Sequence, residues 1–280
     1  MKKILITGVN SYIGTSLEKW LANYPDKYSV DSISLRNDSW KEKDFSIYDV
    51  VFHVAGIAHI RETQENAKLY YSVNRDLAYE IAKKAKNEGV EQFIFLSSMS
   101  VYGIETGIIK KDTPLKPKSN YGKSKLQAEE LISTLGNNSF KVAILRPPMI
   151  YGKDCKGNYT RLAKLALNTP FFPNIENKRS MIFVDNLSEF VRLLIIESKR
   201  GIFHPQNSDY VCTSELVKMI ADLHGANLRM TRLFNSLLTL MRVNTIKKVF
   251  GDLVYDKQID EYENSYAVYD FEASIRITEK

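Results

Sequence analysis

Short apolar runs rich in β-branched and aromatic residues recur through the first half of the chain, and helical patterns separate them. The runs are residues 3–7 (KILIT), 50–54 (VVFHV), 92–97 (QFIFLS) and 141–145 (KVAIL), and 29–35 alternates like a further strand. Between them, Ile13, Leu17 and Leu21 recur at helical spacing over 12–24. Val73, Leu77 and Ile81 mark a helix through Lys86 that Gly89 closes, and 120–135 is a further helix. Strands that are apolar throughout are buried on both faces, and strands joined by helices run parallel. The expected fold class is α/β: a doubly wound parallel sheet covered by helices on both sides.

After Arg146-Pro147-Pro148 the rhythm changes. Residues 159–167 read as a helix, Pro170 and Pro173 break the chain, and 181–184 (MIFV) with 187–196 read as one more strand and helix of the first domain. Residues 214–223 and 233–250 are helical in pattern, and the tail from Asp252 reads as loop-rich. The expected division is 1–152 plus 181–199 for the sheet domain. A smaller, discontinuous α-rich lobe takes 153–180 plus 200–280.

Composition narrows the partners. With 280 residues, 44% hydrophobic and 26% charged, the chain is neither disordered, collagen-like nor a coiled coil. Two cysteines, Cys155 and Cys212, build no disulfide framework or zinc spacing, which suits a reducing cytoplasm. The net charge of +6 comes from scattered lysines such as Lys83-Lys84, Lys110-Lys111 and Lys247-Lys248. Without a basic stripe interleaved with aromatics, this is a solvated surface rather than a nucleic-acid face, and a small phosphorylated ligand also fits the sign. The apolar run after Met1-Lys2-Lys3 is broken by Gly8 and Asn10 and is too short for a signal peptide. The longest apolar stretch, 50–60, contains His53 and His59, and 233–241 is interrupted by Asn235, Ser236 and Thr239, so no membrane span is expected.

Two motifs carry chemistry. The first strand runs directly into Thr7-Gly8-Val9-Asn10-Ser11-Tyr12-Ile13-Gly14. A glycine turn between a first strand and first helix lets backbone N–H groups and the helix N-terminus meet a pyrophosphate. Gly8 makes the turn, Gly14 lets helix and strand approach, and Ser11 replaces the middle glycine of the usual fingerprint. Further on, Tyr121-Gly122-Lys123-Ser124-Lys125 places a phenol and an ammonium four residues apart on one helix face. An adjacent ammonium favours the phenolate and brings the phenol toward working pH. Ser97-Ser98 ends the fourth strand, where residues of an open parallel sheet face the ligand crevice.

Taken together the chain resembles the extended short-chain dehydrogenase/reductases, specifically the NAD-dependent epimerase/dehydratase group acting on nucleotide sugars. The resemblance is carried by Thr7 to Gly14, His53-Val54-Ala55-Gly56, Asn74, Ser97 to Gly103, Tyr121 to Lys125, Arg146-Pro147-Pro148 and Arg179 to Asp185. It implies a Rossmann-type sheet domain, with the active site in the cleft beside the substrate lobe. Tyr121 would be the acid/base, Lys125 would bind the nicotinamide ribose and depress the tyrosine pKa, and Ser98 would be the hydroxyl partner. Gly8, Asn10, Ser11, Tyr12, Ile13, Gly14, Val54, Ala55, Gly56, Asn74 and Ser97 would line the cofactor cleft, and Pro147 and Pro148 would run beside the nicotinamide. Arg179, with Asn158, would contact the substrate diphosphate, and Met99 and Ser100 would lie near the sugar. His53 reads as a strand residue; His59, His204 and His224 have no partner identifiable in the sequence.

Two departures from the family pattern refine this. Arg36 stands where an acidic residue would grip the adenosine ribose, and a guanidinium can pair with a 2′-phosphate. NADP (NADPH) is therefore expected, with NAD the alternative. Met99-Ser100 replace the Asp-Glu pair that family members use to eliminate water, which argues against a dehydratase. The expected activity is reduction of the 4-keto group of a UDP-6-deoxy amino sugar for surface polysaccharide synthesis. The alternatives are a nucleotide-sugar 4-epimerase and, from another class, a non-catalytic NADP-binding sensor or scaffold. Oligomeric state stays open between monomer and homodimer.

Overall fold

The computed structural model describes residues 1–58, 60, 62–233, 235, 244–260, 262 and 265–280, with only the backbone of 244–246. In chain order its strands are β1 (Lys2–Thr7), β2 (Tyr28–Ile33), β3 (Val50–His53), β4 (Gln92–Leu96), β5 (Gly107–Ile109), β6 (Lys141–Leu145), β7 (Met149–Tyr151), β8 (Phe171–Pro173), β9 (Met181–Phe183), β10 (Gly201–Phe203), β11 (Arg229–Thr231) and β12 (Leu253–Tyr255). The helices used below are α1 (Tyr12–Leu21), α2 (Ala67–Tyr71), α3 (Ala78–Asn87), α4 (Asn120–Ser133), α5 (Asn158–Asn168), α6 (Val184–Ile196) and α7 (Thr213–Leu223). The chain divides into two compact units. One comprises residues 1–103, 114–147 and 187–205; the other comprises 104–113, 148–186 and 206–280.

The first unit is built on a six-stranded sheet in the order β10-β6-β4-β3-β1-β2, with every neighbouring pair parallel. Leu5, Val51, Phe93, Phe95, Val142 and Ile144 line one face and pack on Ala78, Ile81, Ala82 and Ala85 of α3 and on Ala128 and Ile132 of α4. Alternate residues Ile4, Ile6, Phe52 and Ile94 are fully buried on the other face. α1 lies there, so close that a Cβ on Gly14 would stand 2.9 Å from Cγ2 of Ile6. Trp20 Nε1 of α1 donates to Glu189 Oε2 of α6 at 2.9 Å. Short side-chain caps start the helices: Ser11 accepts the Gly14 N–H at 3.2 Å and Ser119 accepts that of Gly122 at 3.1 Å. This is the doubly wound Rossmann-type fold, and chain order reverses at β1, with β2 on one side and β3 on the other.

The sheet differs from expectation at its edges. The second strand ends at Ile33 rather than Leu35, so Arg36 lies in the following loop. The sixth strand is Gly201–Phe203, which the expected boundaries gave to the smaller lobe; three residues are too few to show a period. Met181–Phe183 pairs instead with Met149–Tyr151 in a separate two-stranded sheet. The helix expected from Val73 begins as α2, passes through a π-helical segment at Ser72–Leu77, and continues as α3.

The second unit contains three two-stranded parallel pairs, β7 with β9, β8 with β11 and β5 with β12. Phe171–Pro173, expected as a chain break, is thus a strand. The loop-rich tail from Asp252 also carries regular structure. It holds β12 and a final helix, Phe271–Thr278, whose N-cap Asp270 accepts the Ala273 N–H at 2.8 Å. Ser274 of that helix meets the buried Tyr151 hydroxyl at 2.6 Å. Of the helix expected over 233–250, the structure describes Asn244–Phe250; residues 234 and 236–243, like His59, lie outside the described residues. Among the described residues no helix is long and apolar enough to cross a membrane, and no cluster of three or more His, Cys, Asp or Glu could hold a metal.

Candidate active site

In an open parallel sheet, ligands gather beyond the carboxyl ends of the strands, where strand order reverses. Here that place lies between β1 and β3. Gly8 has φ +112°, and a Cβ there would press on the Ala55 backbone at 3.3 Å. Asn10 adopts φ 61°, a left-handed conformation that asparagine tolerates. A Cβ on Gly14 would meet Ser11 Oγ at 2.6 Å. α1 opens directly after this turn with no acidic residue in its first turn, so its positive N-terminal end is uncompensated by a carboxylate. A cradle of glycine backbone at the start of a helix fits a dinucleotide pyrophosphate.

The loop after β3 forms the other wall. A Cβ on Gly56 would come to 3.0 Å from Asn74 Oδ1 and 3.3 Å from Lys125 Nζ. Asn74 is fully buried; its Oδ1 accepts the Ile57 N–H at 2.7 Å, and its Nδ2 donates to Ile57 O at 3.0 Å and Ser124 Oγ at 3.2 Å. The π-helical segment carries Asn74 into this position. Asn74 therefore ties the loop of Val54, Ala55 and Gly56 to α4.

Beyond β4, Ser98 Oγ accepts the Ser100 N–H at 3.1 Å and donates to Ser100 Oγ at 3.1 Å. It also engages the half-buried phenol of Tyr121. Burial pushes the Tyr121 pKa above its ordinary value, while the Ser98 contact pulls it down and nearby Tyr70 adds to the rise. Lys125, one turn along α4, donates from Nζ to Leu96 O at 2.8 Å and lies 4.7 Å over the Phe95 ring. Its pKa is lowered to about 8 by burial, with Glu129 acting in the opposite direction. Burial is the largest influence on both groups: it raises the pKa of the Tyr121 phenol and lowers that of the Lys125 ammonium.

The remaining expected residues lie at strand ends, in the loop after β2 and in the second unit. Ser97 is 3% exposed and donates its hydroxyl to Glu129, so its side chain is committed to the interior. Met99, whose N–H donates to Pro147 O at 3.0 Å, lies with Ser100 on a 3₁₀ turn, and Pro147 and Pro148 are buried. Arg36 is exposed in the loop after β2, its N–H on Ser34 Oγ at 3.3 Å. Ser34, the first residue beyond β2, follows the Ile33 carbonyl that accepts the Gly8 and Val9 N–H groups; strand register, invisible in the sequence, singles it out. In the second unit, Arg179 is held on both sides by bridges to Val211 and Leu253 and donates from Nη1 to Gly251 O at 3.0 Å. Burial pulls its pKa down, and Asp252 opposes this. Asn158 is exposed at the first turn of α5. His53 is a strand residue, as expected: its Nδ1 meets Thr7 Oγ1 at 2.9 Å, and burial lowers its pKa to about 3. His204 and His224 do have partners, Tyr102 Oη and Glu279 Oε2, each at 2.8 Å and each distant in sequence.

The profile of the NAD dependent epimerase/dehydratase family matches residues 4–210. The chain belongs to this family. Membership makes it an NAD(P)-dependent enzyme of the nucleotide-sugar epimerase/reductase class. A UDP-glucose 4-epimerase of Vibrio cholerae is 31% identical over 246 residues, covering 79% of this chain and 75% of that protein. A solved dTDP-4-dehydrorhamnose reductase of Clostridium acetobutylicum superposes with a TM-score of 0.75 at 20% identity, covering 99% of this chain and 98% of the other. RMD of Pseudomonas aeruginosa, solved with NADPH, superposes at 0.78 and 17% identity with the same coverage. At these identities the two structures establish the shared fold.

Proposed function

We propose that this family member moves hydride and a proton at C4 of a UDP-linked sugar, and that it acts as an NADPH-dependent reductase of a UDP-4-keto-6-deoxy amino sugar. The reading rests on Ser98, Tyr121 and Lys125 meeting at one edge of the sheet, beside the glycine cradle. When bound, the nicotinamide supplies hydride. Tyr121 Oη gives its proton to the carbonyl oxygen of the substrate, which the Ser98 hydroxyl orients. A phenol held above its ordinary pKa keeps its proton at neutral pH, the state a donor needs. Lys125 holds the ribose hydroxyls and supplies the positive charge that stabilises the phenolate left behind. Gly8, Asn10, Ser11, Tyr12, Ile13 and Gly14 hold the pyrophosphate, with Val54, Ala55, Gly56 and Asn74 as the opposite wall. Arg36 binds the 2′-phosphate. Arg179, a half-buried cation, takes the substrate diphosphate with Asn158. Met99 exchanges no proton, which supports a reductase over a dehydratase.

A 4-epimerase, with NAD retained through the cycle, is the second reading, favoured by the Vibrio cholerae relative. The two are separated by supplying NADPH and the keto sugar, or UDP-glucose alone, and following NADPH consumption and product sugars. Net NADPH oxidation supports the reductase; interconversion of UDP-glucose and UDP-galactose without added cofactor supports the epimerase. In either case Tyr121→Phe lowers turnover by about a hundredfold or more while leaving dinucleotide binding nearly unchanged. Full turnover in that variant overturns both readings.

A further inference from the structure

Directly behind these residues lies a buried polar chain to which the reaction above assigns no part. Glu129, one turn beyond Lys125 on α4, is 3% exposed. Its carboxylate accepts the Ser97 hydroxyl and receives Arg146 Nε at 3.2 and 3.1 Å and Nη2 at 2.6 Å. Arg146 Nη1 donates to Tyr102 Oη at 2.9 Å, and Tyr102 Oη meets His204 Nε2 at 2.8 Å. The chain laces α4 to the residues that follow β4, β6 and β10. Each tie has a candidate site residue beside it: Ser98 follows Ser97, Pro147 follows Arg146, and Met99 and Ser100 lie on the turn that Tyr102 ends.

We propose that Glu129 is a positioning residue that locks the strand ends carrying Ser98 and Pro147 and supplies the negative charge that keeps buried Lys125 protonated at neutral pH. The proposal rests on the reading of Lys125 given above. An isolated buried ammonium gives up its proton unless a negative group faces it. The groups around Lys125 are Tyr121 and Glu129 on its own helix, His53 on β3, the Phe95 ring and the Leu96 carbonyl on β4, and, behind Glu129, Arg146. Glu129, four residues after Lys125 on the same helix, is the carboxylate among these groups, while burial disfavours charge on Tyr121 and His53. Arg146 lies behind Glu129 and offsets part of that charge. A buried ion pair contributes little stability beyond what apolar residues of the same shape give, so stability alone does not account for charges at this place.

The test reads Lys125 directly in the free protein. Lysine is labelled with ¹³C at Cε, the Lys125 resonance is assigned by its loss in Lys125→Met, and its titration is followed by NMR. Glu129→Gln lowers the midpoint by about one unit or more, a tenfold or greater loss of proton affinity, because a facing charge has gone. The double variant Glu129→Gln/Arg146→Met removes both charges and leaves neither stranded, so it serves where the single variant does not fold; its midpoint also falls. Tyr102→Phe cuts the chain without changing charge and leaves the midpoint in place. An unchanged midpoint in both Glu129 variants overturns the proposal. Failure of the catalytic reading is seen separately, as full turnover of Tyr121→Phe with the Lys125 titration unmoved.

Discussion

Beyond β1 and β3, the carboxyl edge of the sheet is made of backbone: glycines at 8, 14 and 56, a left-handed Asn10 and the first amides of α1. Beyond β4 and β6, the same edge is made of buried side chains: Lys125, Glu129, Arg146 and Tyr102. In the first region the close approaches exist because side chains are missing, and its groups do not titrate. In the second, charges are taken out of water and matched, so it depends on pH and on both members of each pair. One sheet edge thus has a part that is strained when atoms are added and a part that is strained when charges are removed.

The widest separation between the two comes from Arg146→Met. It leaves Glu129 buried without its partner and costs about 3–5 kcal/mol of stability, read by urea unfolding. A loss below about 1 kcal/mol would mean the network is solvated and the contrast false. Arg36→Ala probes the one charge assigned to the backbone-built region. It weakens NADPH binding by about 1.5–3 kcal/mol and leaves NADH binding nearly unchanged, by titration of both dinucleotides. Equal losses for the two would make Arg36 structural and remove the argument for NADP.

Gly14→Ala adds a single methyl where 2.6 Å separates it from Ser11 Oγ and 2.9 Å from Ile6. It costs about 1–3 kcal/mol by overpacking and weakens dinucleotide binding at every pH. The smallest effect is in pH. As pH rises through about 8, Lys125 loses its proton and dinucleotide affinity declines; in Lys125→Met the profile is flat across that range. The same group has the opposite sign for folding. Its folded pKa lies below the unfolded value, so its unfavourable contribution is complete below about 8 and is relieved between there and the ordinary lysine value of 10.5.

What the sequence disclosed follows the same division. The turn after β1 and the helix that carries Tyr121 and Lys125 are local patterns and were legible as such, as were the four apolar strands and the alternating second strand. The pairing of Glu129 with Arg146 was not, because it joins a helix to a strand end and nothing in either segment marks the other. Gly201–Phe203 was lost among loop residues because three residues show no alternation. The final helix was not singled out within the loop-rich tail, although Asp270 stands at its N-cap. Arg36 shows a different limit: the residue type is plain, but its place depends on where β2 stops, which is Ile33.

The π-helical turn at Ser72–Leu77 has a consequence for how this region tolerates change in length. Successive residues of an α-helix are rotated by about 100°, so one residue more in a turn offsets everything after it by that angle. Within the π-helical turn, Asn74 is aimed at Ile57 and Ser124; downstream, the helix is phased to lay Ala78, Ile81, Ala82 and Ala85 on the sheet. Deleting one residue between 72 and 77 would regularise the helix and make one of these two directions wrong. The turn acts as a phase shifter between a polar and an apolar requirement, and a shorter, more regular helix here would be the less functional one.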